Sequence, residues 1–249
     1  MKSALSNSCL VGKSFSEKLM KKIHSIVFSV MTALLCFVLV SCGERPEKYV
    51  TDTGESRSEI KTHYSLENGC EIIDIKGVSG VFPEDGRDAE TDNTAAIVVR
   101  NKSDRHFQLM NIVIETDKGA LEFQLTTLFS GSKMTVFEKN AKQFDNSMTV
   151  ESVQLTRSVE FTEEPTVHPD VFEITVHDAV LNIKNISEND IDGDIYVYYK
   201  STDENSDWYG GITYRTCAGG GLKSGELRQL PANHFKNGSS KVVFVTYAE

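Results

Sequence analysis

Short runs in which apolar and polar residues alternate recur along this chain, and after residue 62 no long stretch keeps a 3.6-residue period. The run "LEFQL" (121–125) puts Leu121, Phe123 and Leu125 on one face and Glu122 and Gln124 on the other. "DIYVYYK" (194–200) alternates Ile195, Val197 and Tyr199 against Tyr196, Tyr198 and Lys200, and "KVVFVTY" (241–247) is a β-branched and aromatic run. A period of two suits a pleated strand, and Gly, Asn, Asp and Ser separate the runs as turn formers do. The chain is therefore expected to be all-β.

An internal similarity organises these strands. "AAIVVRNKSD" (95–104) corresponds to "AVLNIKNISE" (179–188) at an offset of 84 residues. "LFSGS" (128–132) then matches "LKSGE" (222–226) at an offset of 94, so the second copy carries an insertion, placed around "TDENSDWYGG" (202–211). Between the copies lies "TEEPTVHPD" (162–170), with two of the five prolines. Proline cannot donate to a sheet ladder, so this segment reads as a connector. Two domains are expected, 63–165 and 166–249.

The pattern of N-x-S, strand, turn, strand and L-x-S-G-x resembles bacterial immunoglobulin-like sandwiches of the FxLYD and CARDB types. "VIETDKG" (113–119) matches the strand and turn of the first type. The likeness covers about residues 90–140 and 175–247. Ser130 and Ser224 stand where those families usually have proline, and the antibody Cys…Trp…Cys signature is absent. The resemblance implies two tandem immunoglobulin-like β-sandwich domains. It says little about function, because one fold serves many.

The N-terminal part specifies an address. In "KKIHSIVFSVMTALLCFVLVSCGE" (21–44) two lysines precede an apolar run over 23–40 and then a cysteine. A basic front, an apolar middle and small residues at the end are the parts of a secretory signal. Leu39-Val40-Ser41-Cys42 resembles the lipobox of bacterial lipoproteins. That resemblance implies a signal peptide over 1–41 and a lipid anchor on Cys42, with the rest extracytoplasmic at the bacterial cell membrane. An uncleaved anchor helix is the alternative, since eighteen residues can span a bilayer. The true start is expected at Met20, because residues 1–19 add a long polar prefix. Residues 42–62 are charged and poor in large apolar side chains, as a flexible stalk would be.

Charge narrows the partners. Residues 1–42 carry a surplus of four positive charges, so the rest stands at −14 against −10 for the whole chain. Such a surface repels phosphate backbones, which argues against nucleic acid.

Few motifs carry chemistry. "ENDIDGD" (188–194) spaces Glu188, Asp190, Asp192 and Asp194 like a Ca²⁺ loop. The closing glutamate is replaced by Tyr199 and the flanks are strands, so an interstrand turn is the plainer reading. No cofactor other than Ca²⁺ is suggested. Cys217 lies beside the glycines of "TCAGGGLKSG" (216–225), with His234 the nearest histidine, yet no third residue would orient that base. Cys70 and Cys217 either form a disulfide or remain free thiols. The chain is not expected to be an enzyme.

One feature favours recognition. Tyr196 and Tyr198 share the face opposite Ile195 and Val197, with Trp208 and Tyr209 in the insertion and Tyr214 following. These five form the expected binding face for a protein or an envelope polymer, because aromatic residues concentrate at interface centres. The face is either open or covered by the first domain or a loop. The resulting expectation is a non-catalytic binding or adaptor module. A ligand-capturing lipoprotein accessory to a transporter or sensor is the alternative.

Overall fold

The computed structural model describes residues 63–248, which belong to one compact unit. The leader, Cys42 and the whole stalk fall outside the described residues. Thirteen strands and no helix occur among the described residues. Seven make the first half: β1 (Tyr64–Ser65), β2 (Cys70–Phe82), β3 (Ala89–Asn101), β4 (Phe107–Thr116), β5 (Leu121–Leu128), β6 (Lys133–Phe137) and β7 (Val150–Glu160). Six make the second: β8 (Phe172–His177), β9 (Val180–Asn185), β10 (Ile195–Thr202), β11 (Trp208–Ala218), β12 (Leu227–Pro231) and β13 (Ser240–Thr246). The expected all-β class is what the structure has.

The alternation read from the sequence sorts inside from outside. On β5 Leu121, Phe123 and Leu125 are buried, and on β10 Ile195, Val197 and Tyr199 are. Tyr196 and Tyr198 stay half-buried on the other face. The first core draws on β2, β3 and β6 from one side and on β4, β5 and β7 from the other, which makes it sandwich-like. A second core gathers β8 to β13 in the same way. β7, which ends at Glu160, packs on the first core, and β8, which begins at Phe172, packs on the second.

Strand order is duplicated. The first half pairs β2-β3-β6 and β5-β4-β7; the second pairs β8-β9-β12 and β11-β10-β13. The sequence repeat marks the same bonds in each copy. Asn101 and Asn185, both fully buried, end β3 and β9. Asn101 Nδ2 donates to the carbonyls of Arg105 (2.7 Å) and Leu128 (3.4 Å), while its Oδ1 accepts from Ser103 N (3.0 Å) and Oγ (2.7 Å). Asn185 repeats this with Asn189 O (2.8 Å), Leu222 O (3.1 Å) and Ser187 N (3.0 Å) and Oγ (2.7 Å). Ser130 and Ser224 close both motifs, their hydroxyls donating to Ser103 O and Ser187 O at 2.7 Å. Each buried amide is fully satisfied, which is why Asn is needed there.

The insertion helps to join the two halves. The start of β11 runs parallel to β6, with Trp208 opposite Met134 and Tyr209 opposite Thr135, so strands of both halves enter one seven-stranded sheet. On the other side Thr126 of β5 donates to Gly211 O (2.9 Å). A Cβ at Gly211 would stand 2.1 Å from Gln124 O, and one at Gly210 2.5 Å from Pro83 Cγ. Only glycine lets the chain approach this closely.

Candidate functional site

β10 presents its outer face between two neighbours. Tyr196 lies opposite Cys217 and Tyr198 opposite Arg215 on β11. The Arg215 guanidinium sits 5.2 Å from the Tyr196 ring centroid. The neighbouring Cys217 sulfur, and then the Asp194 carboxylate, push the Tyr196 phenol upward. Across β13, Tyr198 pairs with Phe244. Their rings stack with centroids 4.2 Å apart, and Phe161 meets Phe244 edge-on at 5.4 Å. Such ring pairs contribute about 0.5–1.5 kcal/mol beyond their buried area. Beside them opens a cleft of about 560 Å³ lined by Phe161, Glu163, Glu164, Tyr198, Phe244 and Tyr247, with Gln108 and His168. Phe161 and the connector supply one wall, and β10 and β13 the other.

The five aromatics expected on one face do not share it. Tyr214 lies opposite Tyr199 and so points into the core, where it is 9% exposed. It stacks on Tyr199 and on His234, and its hydroxyl donates to Pro83 O at 3.2 Å. Burial pushes its phenol well up. Tyr209 packs edge-on against Phe137 and donates to Val81 O at 3.2 Å. Trp208 packs against the first core, 6.1 Å from Phe129, with the Lys241 ammonium 6.0 Å from its ring. The outer face of β10 therefore keeps Tyr196 and Tyr198, and the cleft adds Phe161 and Phe244, which the sequence reading did not single out.

The acidic loop serves the backbone. Asp190 Oδ1 accepts from Ser224 N (2.8 Å) and Asp194 Oδ1 from Gly220 N (2.9 Å). Neither Glu188 nor Asp192 joins them in a cluster: among the described residues no three His, Cys, Asp or Glu side chains converge as a metal site would require. Cys70 and Cys217 are both free. Cys70 is buried in the first core, where loss of water pushes its thiol up to about 12. Cys217 is exposed on β11 of the second half, so no bridge joins them. His234 stacks on Tyr214, with Nδ1 3.1 Å from the Asp88 carboxylate.

A buried polar cluster at the junction carried no sequence signal. Lys200 is fully buried. Its Nζ donates to the carbonyls of Thr126 (3.0 Å), Gly211 (3.2 Å) and Ile212 (2.8 Å) and reaches Thr213 Oγ1 at 3.4 Å. Glu84 Oε1 accepts from Gly211 N (2.7 Å) and Phe137 N (3.1 Å). Burial holds the Glu84 carboxyl above its ordinary range and lowers the Lys200 ammonium to about 7, while each charge favours the other. Both side chains bond to both halves.

No family model, curated protein or solved structure matches this chain.

Proposed function

We propose that the chain is a non-catalytic binding or adaptor protein, lipid-anchored at Cys42 and displayed outside the bacterial cytoplasm. Its two tandem immunoglobulin-like sandwiches, of the FxLYD and CARDB kind, hold a contact surface for a protein or an envelope polymer. The anchor rests on the lipobox at 39–42. The duplicated strand order and the twin asparagine motifs support the tandem reading.

The observation that carries the binding reading is the Phe161–Phe244–Tyr198 array at the mouth of the cleft. Phe244 is itself buried, and the half-buried Phe161 and Tyr198 rings packed on it offer a rigid contact area at low entropic cost. Crosslinking on intact cells that display the lipoprotein, followed by mass spectrometry, tests it. One abundant protein or a wall polymer, captured by the native chain and lost with Tyr198→Ala, supports the reading. Capture that Tyr198→Ala leaves unchanged removes it.

A second reading is capture of a small ligand for a transporter or sensor. The cleft volume of about 560 Å³ lies in the range of small-molecule pockets. Under that reading the purified chain melts higher with the ligand present, by the mass-action stabilisation of the folded state.

A further inference from the structure

The connector beside the Tyr198 cleft is held at both ends. Phe161 N donates to His106 O at 3.0 Å in the first half, and Val245 N of β13 donates to Thr166 O at 2.9 Å. Between these bonds Glu163 and Glu164 are exposed, and both line the cleft with Phe161 and Tyr198. Pro165 keeps the residue before it to extended backbone. The two carboxylates therefore stand on a segment tied to both walls of the cleft.

Close by, the molecule itself shows what a ring and a carboxylate hold together. The Arg105 guanidinium lies 5.4 Å from the Phe107 ring centroid and forms an ion pair with Glu160. One residue further on, Phe161 and the two glutamates offer ring and carboxylate again, without the cation. No lysine or arginine among the described residues lines the cleft, and its His168 packs edge-on against Tyr247 at 5.0 Å. Arg215, opposite Tyr198 on β11, lies over the Tyr196 ring. Neither Glu163 nor Glu164 has an ion-pair partner among the described residues.

We infer that the cleft takes an arginine side chain from a basic segment of a partner protein. The inference rests on the reading of this cleft as the contact surface, and it names the chemistry that the surface selects. A guanidinium stacks on an aromatic face and bonds to carboxylates with its planar fork of donors. An apolar occupant would strip water from two carboxylates without replacing it. An anionic polymer would be repelled by both, and by a chain that stands at −14 after residue 42. The same field draws a basic segment in.

The probe is the peptide acetyl-Gly-Arg-Gly-amide, titrated into the full chain carrying fluorotyrosine and read by fluorine NMR at the Tyr198 resonance, which Tyr198→Phe identifies. A saturable shift is expected. Replacing the arginine by citrulline, its neutral isostere, should weaken binding at least about tenfold, and Glu163→Gln with Glu164→Gln at least about threefold. The glutamine pair should leave the melting temperature unchanged, because both side chains are exposed. No binding, equal binding of the citrulline peptide, or indifference to the glutamine pair overturns the inference. In the crosslinking assay on intact cells, the glutamine pair should lose the captured protein as Tyr198→Ala does. Capture lost with Tyr198→Ala but kept with the glutamine pair overturns the arginine and leaves the contact surface standing. Capture indifferent to Tyr198→Ala removes the contact surface, and the inference with it. Capture of a wall polymer, or of no protein, overturns the inference too.

Discussion

The two halves of this molecule share strand order and turn chemistry and differ in what each adds. The first adds β1, which pairs with β2. The second adds the segment through Gly211, which stays paired with β10 and also joins β6 of the first. The two halves therefore share a frame, held in each by a buried asparagine. The differences between copies supply the joint and the open surface. Shared features carry stability, and unshared ones are where a specific role is built.

The largest test of this contrast is at the joint. Lys200→Ala removes the donor to three carbonyls and leaves Glu84 buried without its neighbour. Breaking such a cluster costs about 3–5 kcal/mol. Calorimetry of the variant should show the halves melting separately where the native chain melts as one. A single lowered transition would mean that the strand pairing of β6 with β11 is enough to weld them.

The frame itself comes next. Asn101→Ala and Asn185→Ala each remove four hydrogen bonds and orphan buried carbonyls. Each should lower stability by about 2–4 kcal/mol in urea titrations, since an unsatisfied buried group costs about 1–3 kcal/mol and a cavity adds to it. The two values should agree closely. A gap of more than about 2 kcal/mol would show that one asparagine is not the structural counterpart of the other.

Much of this was legible in the sequence, for physical reasons. A period of two dictates which side chains face the core, so Ile195, Val197 and Tyr199 were assignable without coordinates. Asn-x-Ser at a fixed offset announced a turn that both copies build alike. What could not be read is long-range. Lys200 follows Tyr199 and so belongs to the outer face by alternation. It is buried where β11 and Thr126 of the other half close around its ammonium group. Tyr214 was misplaced because its face follows from the register with Tyr199, and a bulge after that residue shifts the count. The Tyr198–Phe244 stack depends on which strand neighbours β10 on its far side, which local patterning does not encode.

The joint should also respond to pH. Burial lowers Lys200 from 10.5 to about 7, so between those values the unfolded chain binds more protons than the folded one. Stability contributed by this group therefore rises with pH across that window, by at most about 1.4 kcal/mol per unit. Glu84 acts the other way, because its carboxyl is raised and its share is lost above the ordinary carboxylate range. Unfolding midpoints at pH 7.5 and 9, compared between the native chain and Lys200→Met, isolate the lysine. The native chain should gain on the variant as pH rises. Parallel midpoints would mean that Lys200 stays charged in the fold.

The smallest stability effect should fall on the outer face, and there the contrast between joint and surface is sharpest. Trp208 and Tyr198 are both half-buried aromatics of the second half, yet one packs into the first core and the other onto Phe244 beside an open cleft. Trp208→Ala should cost about 2–3 kcal/mol, less than a fully buried tryptophan because part of the ring is already in water. Tyr198→Ala should cost about 1 kcal/mol, the worth of one stacked pair at a wet surface. Thermal melts of the two variants, alongside the crosslinking assay, separate the roles. A stable Tyr198→Ala chain that no longer captures its partner marks a contact surface. If Tyr198→Ala melts as low as Trp208→Ala, the stack holds the fold together and β10 has no free face to offer.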